Sequence, residues 1–211
     1  MMSGSLMEIE AKFQIDTEGT YLALQSIQMV GEFTLGEVKT NHIQDSYLDT
    51  TDRQLLAAGY AFRQRRKGEV WVVALKGLGG VSGAVHRREE LELHLESLLP
   101  PVAWPSSPLR TRILDLIGIT PLGSLFSLTQ TRQVRAVYQA EALIAWWSLD
   151  AVQLQPPEQT NSYFELEIEL TEAGSEAALA QLVQHMQAEW GLQSESRSKF
   201  ERGLATIDGQ I

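Results

Sequence analysis

Charged and apolar residues alternate along residues 8–13, which read Glu-Ile-Glu-Ala-Lys-Phe. Because successive side chains of a β-strand point to opposite faces, a strand here would place Glu8, Glu10 and Lys12 together on one face. Carboxylates are ligands for hard divalent cations, and ammonium groups bind phosphate oxygens. One short strand would therefore carry groups suited to a metal ion beside a group suited to a phosphate.

Four more segments show the same alternation, with carboxylates or bases on one face and apolar residues on the other. Their charged residues are Arg63, Arg65, Lys76, Arg88, Glu90, Glu92, His94, Glu165, Glu167 and Glu169. A row of three glutamates on one strand face repels itself and needs cations nearby. Two arginines two residues apart form a cluster suited to phosphate oxygens, because the planar guanidinium group makes bidentate contacts.

These side chains need a scaffold of strands, which the hydrophobic pattern predicts along most of the chain. Strands are predicted at residues 8–15, 42–49, 59–67, 69–76, 85–95, 125–138, 141–153 and 162–170. Helices are predicted at residues 17–30, 109–118 and 175–190. About eight strands and three helices in this order favour an α+β fold. We expect one domain over residues 7–211, after a flexible N-terminus of residues 1–6.

Two architectures can account for the alternating strands. An antiparallel sheet with one face in water explains any single strand. A wet face normally mixes Thr, Ser, Lys, Gln and Asn, whereas these faces are mostly carboxylate or guanidinium. The alternative is a closed eight-stranded antiparallel β-barrel with a charged interior and helices packed on the outside. Eight strands enclose roughly enough room for one small ligand.

The barrel would confine many charges of both signs. The inward carboxylates would be Glu8, Glu10, Glu90, Glu92, Asp150, Glu165, Glu167 and Glu169, and the inward bases Lys12, Arg63, Arg65, Lys76, Arg88, Arg132 and Lys199. Confining these charges is costly unless each sign has a partner. A divalent metal would neutralise carboxylates, and a polyphosphate would neutralise bases. The pattern therefore predicts a cavity for a metal–polyphosphate complex.

Composition narrows the class of protein further. The formal net charge is −10, which disfavours a binder of duplex nucleic acid. Cysteine is absent, so thiol chemistry and disulfides are excluded. The sequence has neither a run of 18 apolar residues nor a secretory signal pattern, so we expect no membrane association and a cytoplasmic location.

The order of these motifs resembles the CYTH superfamily, also called triphosphate tunnel metalloenzymes. The resemblance covers about residues 7–205 and is greatest to the CYTH domain of bacterial inorganic triphosphatases. The matching segments are the ExExK motif at residues 8–12, residues 42–50, LLAAGYAFRQR at 55–65, ALKG at 74–77, REELE at 88–92, ELEIEL at 165–170 and SKFERG at 198–203.

The resemblance implies a role for each charged residue. Glu8, Glu10, Glu167 and Glu169, with Glu165 on the same face, would hold Mg²⁺ or Mn²⁺. Glu90 and Glu92 would support the bases or a second metal, and Asp150 matches an aspartate of the family. The phosphate chain would be bound by Lys12, Arg63, Arg65, Lys76, Arg88 and Lys199, together with either Arg132 or Arg135. The residues closest to catalysis would be Glu8, Glu10, Lys12, Glu167 and Glu169.

The implied activity is metal-dependent hydrolysis of inorganic tripolyphosphate or an organic triphosphate. A class IV-type adenylate cyclase or a thiamine triphosphatase would use the same cavity, and a binding protein for polyphosphate or nucleotide is the non-enzymatic alternative. A homodimer is one option for the assembly. Trp146 and Trp147 suggest stacking on a base, although aromatic residues in strands more often pack in the core.

Overall fold

The computed structural model describes residues 6–155 and 161–209. Within them, the strands are β1 (Leu6–Ile15), β2 (Met29–Val30), β3 (Phe33–Leu35), β4 (Lys39–Asp49), β5 (Tyr60–Lys67), β6 (Val70–Gly77), β7 (Val81–Ser82), β8 (Val85–Leu95), β9 (Gly123–Gln139), β10 (Ala142–Gln155), β11 (Asn161–Leu170) and β12 (Gln193–Ser194). The α-helices are α1 (Glu18–Ser26), α2 (Gln54–Ala57), α3 (Pro108–Ile117), α4 (Glu176–Trp190) and α5 (Lys199–Ile207), with a 3₁₀ turn at Pro101–Ala103.

Eight long strands form a closed antiparallel barrel. They follow one another in the order β10-β11-β1-β8-β6-β5-β4-β9, and pairing of β9 with β10 completes the circle. The short strands β2, β3, β7 and β12 attach to this barrel from outside. The predicted eight-stranded barrel with a charged interior is confirmed, because each alternating strand turns its apolar face outward.

Two apolar layers cover the outside of the barrel. In the first, α1 and α4 pack against β1, β10 and β11 through buried residues that include Leu24, Leu182, Phe13, Trp147 and Leu166. In the second, α3 packs against β5, β6 and β8. Burying large side chains on this face stabilises the closed sheet by roughly 1.5–3 kcal/mol each.

A third apolar cluster lies at one end of the barrel interior. Phe200 of α5 is buried against Leu128 and Val152, which project inward from β9 and β10. A capping box begins this helix: the Ser198 Oγ accepts a hydrogen bond from the Glu201 backbone N–H at 3.2 Å, and Glu201 Oε2 accepts one from the Ser198 N–H at 2.7 Å. Helix α5 therefore closes this end of the barrel.

The structure differs from the sequence prediction at several elements. The predicted helix 17–30 ends at Ser26, and β2 and β3 follow it. The turn between these strands contains Gly31, whose φ is +55°. Helices α2 and α5 were not predicted. Of the segment predicted to be flexible, residue 6 belongs to β1 and residues 1–5 lie outside the described residues.

The connection predicted between the last two barrel strands also falls partly outside this range, at residues 156–160. Among the described helices, none combines the length and the apolar composition needed to cross a membrane.

Candidate active site

A charged cavity of about 230 Å³ lies inside the barrel. Its lining is formed by Glu8, Glu10, Lys12, Tyr47, Arg63, Arg65, Lys76, Arg88, Glu90, Glu92, Arg132, Glu167, Glu169, Ser198 and Lys199. The structure thus brings carboxylates of three strands together with bases of five strands and one helix. Asp150 and Glu165 are fully buried and contact the cavity's bases.

The cavity has a deep end and an exposed end. At the deep end, Lys199 projects from the first turn of α5, directly above the apolar cluster that fills the barrel. At the other end, Glu169 is exposed and lies opposite Glu10 in the β1–β11 register. We call this exposed end the mouth of the cavity.

Two bases and three carboxylates form a tight cluster at the deep end. Lys199 Nζ donates to Glu167 Oε1 at 2.9 Å, lies 3.0 Å from Asp150 Oδ2 and also donates to Glu165. The Arg132 guanidinium makes a bidentate contact with Asp150, at 2.8 and 2.6 Å, and also contacts Glu167. Burial alone would lower the pKa of Lys199, but the three carboxylates outweigh it and raise that pKa well above its usual range.

Four bases line the middle of the cavity and are also paired. Lys12 lies 2.8 Å from Glu167 and 3.4 Å from Glu10, and these carboxylates raise its pKa despite the opposing effect of burial. The remaining pairs are Lys76 with Glu8 at 3.0 Å, Lys76 with Glu90 at 3.1 Å, Arg63 with Glu90 at 3.7 Å and Arg88 with Glu10 at 3.3 Å. Each of these four bases therefore has at least one carboxylate partner.

The carboxylate of Glu169 differs from those deeper in the cavity. Within the described part of the chain, it has no ion pair or hydrogen bond. Burial raises its pKa to about 7, with a further contribution from the negative charges of Glu8 and Glu10. Glu8 and Glu10 have paired bases, so Glu169 is the carboxylate at the mouth whose negative charge is least balanced.

Two groups of carboxylates could hold a divalent cation. Oxygens of Asp150, Glu165 and Glu167 lie within 4.8 Å of one another, but Lys199 and Arg132 already neutralise that group. Glu8, Glu10 and Glu169 offer the hard oxygen donors that Mg²⁺ and Mn²⁺ prefer, but among the described residues their oxygens do not come within the same distance of one another. The deep group therefore has the closer oxygens, whereas the mouth has Glu169, which has no ion pair among the described residues.

Arg135 does not belong to the cavity, which corrects one of the two alternatives for this strand. It lies three residues from Arg132, so its side chain is on the opposite face of β9. Its guanidinium group donates to the carbonyl oxygens of Gly36 at 2.7 Å and Leu35 at 3.2 Å, and also to that of Ile27. Arg135 thus holds the segment around β2 and β3 against the outside of the barrel.

Sequence reasoning missed several residues of the site. Asp45 accepts a bidentate contact from Arg65, at 2.6 and 2.7 Å, and Tyr47 lines the cavity two residues further on. Their alternation in β4 was a usable signal, but their partners depend on the β4–β5 register. Ser198 also lines the cavity, and nothing in its sequence context distinguishes it from an ordinary helix cap.

His86 is a buried neighbour of the site that the motifs did not indicate. Its Nδ1 contacts the Arg88 guanidinium, and its Nε2 lies 2.8 Å from the carbonyl oxygen of Glu195. Burial lowers its pKa to about 4, and the positive charges of Arg88 and Lys12 contribute. The ring is therefore neutral, with Nδ1 accepting from Arg88 and Nε2 donating to Glu195.

Comparisons with known proteins agree with this architecture. The model of the CYTH domain family matches residues 6–204. No curated protein matches the chain. A solved structure from Hippeastrum, provisionally named an adenylyl cyclase and described as having a dominant triphosphatase activity, is 21% identical, with 97% of each chain covered and a TM-score of 0.72.

Two further solved structures extend the comparison. A protein from Bacillus halodurans, also provisionally named an adenylate cyclase, is 22% identical over 94% of this chain and 98% of its own, with a TM-score of 0.67. The triphosphatase of the Mimivirus capping enzyme is 13% identical over 87% of this chain and 89% of its own, with a TM-score of 0.52. At these identities the likeness shows a common fold.

Proposed function

The chain belongs to the CYTH domain family, and we propose that it is a divalent-metal-dependent hydrolase of a triphosphate. The observation that carries this proposal is the confinement of both charge signs in one cavity of about 230 Å³. On a solvent-exposed sheet face, these charged side chains would extend into water and be screened by it. Here they are held close together, which favours a ligand that brings both negative phosphates and a positive metal.

The bases of the cavity would bind and orient the phosphate chain. Lys12, Arg63, Lys76, Arg88 and Arg132 lie on five different strands and surround the cavity. Phosphate oxygens would take over contacts that these bases make with carboxylates, since both are oxygen anions. Arginines suit the binding of phosphate because the planar guanidinium group donates to two phosphate oxygens at once.

The carboxylates of the mouth, Glu8, Glu10 and Glu169, together with Glu167, would hold Mg²⁺ or Mn²⁺. When bound, such a metal polarises phosphate oxygens and lowers the pKa of a bound water. In the proposed reaction, a water oxygen attacks the terminal phosphorus while the phosphoanhydride P–O bond breaks. The products are orthophosphate and the shortened chain, and the bases spread the charge that develops on the transferred group.

Phosphate release from tripolyphosphate, ATP and thiamine triphosphate tests the proposal, with Mg²⁺ or Mn²⁺ added and with EDTA. We expect metal-dependent release from at least one of them. Glu8→Ala and Glu10→Ala should each lower kcat/KM by at least about 100-fold, because the loss of one transition-state contact commonly costs this much. Glu141→Ala, at an exposed turn, is the matched control and should match the wild type.

Two results would contradict the hydrolase proposal. Release of cyclic AMP and diphosphate from ATP without orthophosphate would identify a cyclase. Tight binding of triphosphates without turnover of any of them would identify a binding protein. Full activity of both glutamate variants would leave hydrolysis standing and remove the metal assignment.

A further inference from the structure

Trp146 is an exposed aromatic residue on the cavity side of β10. Trp146 is 41% exposed as a residue, whereas Trp147 is 1% exposed and belongs to the outer core. Asp150 projects inward, where it binds Arg132, and Ser148 shares its face. Because side chains of a strand alternate, Trp146 projects toward the interior side as well. Trp147 packs against the helices, whereas packing in this core does not explain why an aromatic residue occupies position 146.

The strand register places Trp146 at the mouth of the cavity. It lies opposite Glu169 on β11 and opposite Ala136 on β9. Glu169 in turn lies opposite Glu10, and both glutamates line the cavity. Directly paired residues of an antiparallel sheet have Cβ atoms about 4.5–5.5 Å apart, so the indole adjoins the charged lining.

Small apolar residues continue the surface beside this indole. Ala136 is paired with Trp146, and Val134 is paired with Ser148 one step deeper. Both are partly exposed and lie on the inward face of β9. We refer to Val134, Ala136 and Trp146 as the rim surface. It is an uncharged region next to a lining that is otherwise almost entirely charged.

The size of the cavity indicates what could reach the rim surface. Pockets that enclose drug-sized organic ligands usually measure roughly 300–1,000 Å³. The charged cavity, at about 230 Å³, is smaller than this range, and α5 fills the barrel beyond its deep end. An organic triphosphate whose phosphates enter the cavity must therefore leave its organic part at the mouth.

We propose that the rim surface binds the planar ring of an organic triphosphate, as in the nucleobase of a nucleoside triphosphate, by stacking on Trp146. The indole has a large apolar face, and base–aromatic stacking tolerates any base. Trp146 then favours nucleoside triphosphates over inorganic tripolyphosphate. The inference rests on the proposed function, since it places the phosphates in the charged cavity.

Kinetics of Trp146→Ala with two substrates provide the first test. The ratio of kcat/KM for ATP to kcat/KM for tripolyphosphate should fall about tenfold, which is a typical loss for one stacking platform. Trp146→Phe keeps an aromatic face and should recover most of that ratio. If Trp146→Ala left this ratio unchanged, whether or not both values of kcat/KM fell, the inference would be overturned.

Equilibrium binding separates this inference from the proposed hydrolysis. The affinities of β,γ-methylene-ATP and of tripolyphosphate are measured with Mn²⁺ by titration calorimetry. Trp146→Ala should weaken the binding of the nucleotide analogue about tenfold more than that of tripolyphosphate. This result would uphold the rim surface even if the protein hydrolysed nothing. An unchanged affinity for the analogue would overturn it even in an active triphosphatase.

Size-exclusion chromatography with light scattering tests the competing explanation for the exposed indole. We expect wild type and Trp146→Ala to have the same molar mass. If the substitution converted a dimer into a monomer, Trp146 would be a contact between copies and the inference would be wrong.

Discussion

Lys199 lies among three buried carboxylates and pairs with all of them, whereas Arg132 pairs with Asp150 and Glu167, and Lys12 with Glu167 alone. The side chain is 7% exposed, so water screens these charges little. Its pKa is raised by Asp150, Glu165 and Glu167, which means that the folded state strongly favours the charged form. A single residue at the start of a short helix thus stabilises the deep end of the cavity.

Replacing Lys199 by methionine should destabilise the fold markedly. The substitution keeps the length of the side chain but leaves three buried carboxylates with only Arg132 and Lys12, and breaking a buried pair commonly costs about 3–5 kcal/mol. We expect a loss of this size in the free energy of unfolding, measured by urea denaturation at pH 7. Lys67→Met, on an exposed lysine, is the matched control. A loss below about 1 kcal/mol would show that the carboxylates do not depend on Lys199.

His86 should make the stability of the protein depend on pH below neutrality. Its folded-state pKa is lowered to about 4 by burial, Arg88 and Lys12, whereas an unfolded histidine has a pKa of about 6.5. Between these values the unfolded state binds a proton that the folded state does not. The contribution of His86 therefore falls as pH drops from about 6.5 to 4, by roughly 3 kcal/mol in total.

His86→Gln tests this titration, because Gln can still donate to the carbonyl of Glu195 and has no charge to gain. Unfolding free energies of both proteins are measured between pH 7 and pH 4. Whatever the stability of the variant at pH 7, it should lose less stability than the wild type over this range. Parallel pH profiles would contradict the assignment of a neutral His86.

Helix α5 is the element that connects packing to the site, since it fills the barrel with Phe200 and supplies Lys199 to the cavity. It approaches β9 so closely that Gly203 has no room for a side chain. A Cβ atom there would lie 2.1 Å from the nearest ring atom of Phe126. The absence of a side chain at this position therefore determines how deeply the helix enters.

Gly203→Ala should push α5 away from β9. Overpacking of this kind costs typically 1–3 kcal/mol, although alanine by itself favours helix by about 1 kcal/mol over glycine. We expect lower stability in urea together with a higher KM for the triphosphate, because Lys199 moves with the helix. Gly19→Ala in α1 is the matched control, since its nearest atom would be the Thr17 Oγ1 at 3.8 Å.

A second substitution shows whether the effect arises from this contact. Gly203→Ala combined with Phe126→Leu should be more stable than the sum of the single changes predicts, since leucine makes room for the added methyl group. If the double variant is additive, the clash with Phe126 is not the cause.

The whole molecule is acidic, with a formal net charge of −10, yet it would bind an anion. The two requirements are compatible only if the ligand brings positive charge to the mouth carboxylates and negative charge to the bases. The binding of an anion then depends on the charges inside the cavity, because closure of the sheet separates the cavity from the acidic outer surface. Metal and phosphate should consequently bind together more strongly than either binds alone.

Thermal unfolding measures this coupling. At about 100 times its dissociation constant, a ligand stabilises the folded state by about 2.7 kcal/mol, which raises Tm by about 5–10 °C for a chain of this size. We expect such a rise with Mn²⁺ and tripolyphosphate together, and a much smaller one with tripolyphosphate in EDTA. Equal shifts in Mn²⁺ and EDTA would contradict a metal-linked site.

The sequence by itself determined which side chains share a face. A strand has a period of two residues, and this local rule places Glu8, Glu10 and Lys12 together and separates Arg132 from Arg135. The same local pattern gave most strands and helix α4 within one or two residues of their observed bounds. It also predicted that a barrel would turn the charged faces inward, because apolar faces must be covered.

Tertiary structure alone decided what these faces meet. Glu8 lies opposite Arg88, and Trp146 lies opposite Glu169, and neither pairing follows from local periodicity because strand register depends on contacts distant in the chain. Lys199 reaches the cavity because α5 packs inside one end of the barrel. Trp146 remains exposed while Trp147 is buried, since the mouth of the barrel lies on one face of β10 and the helices lie on the other.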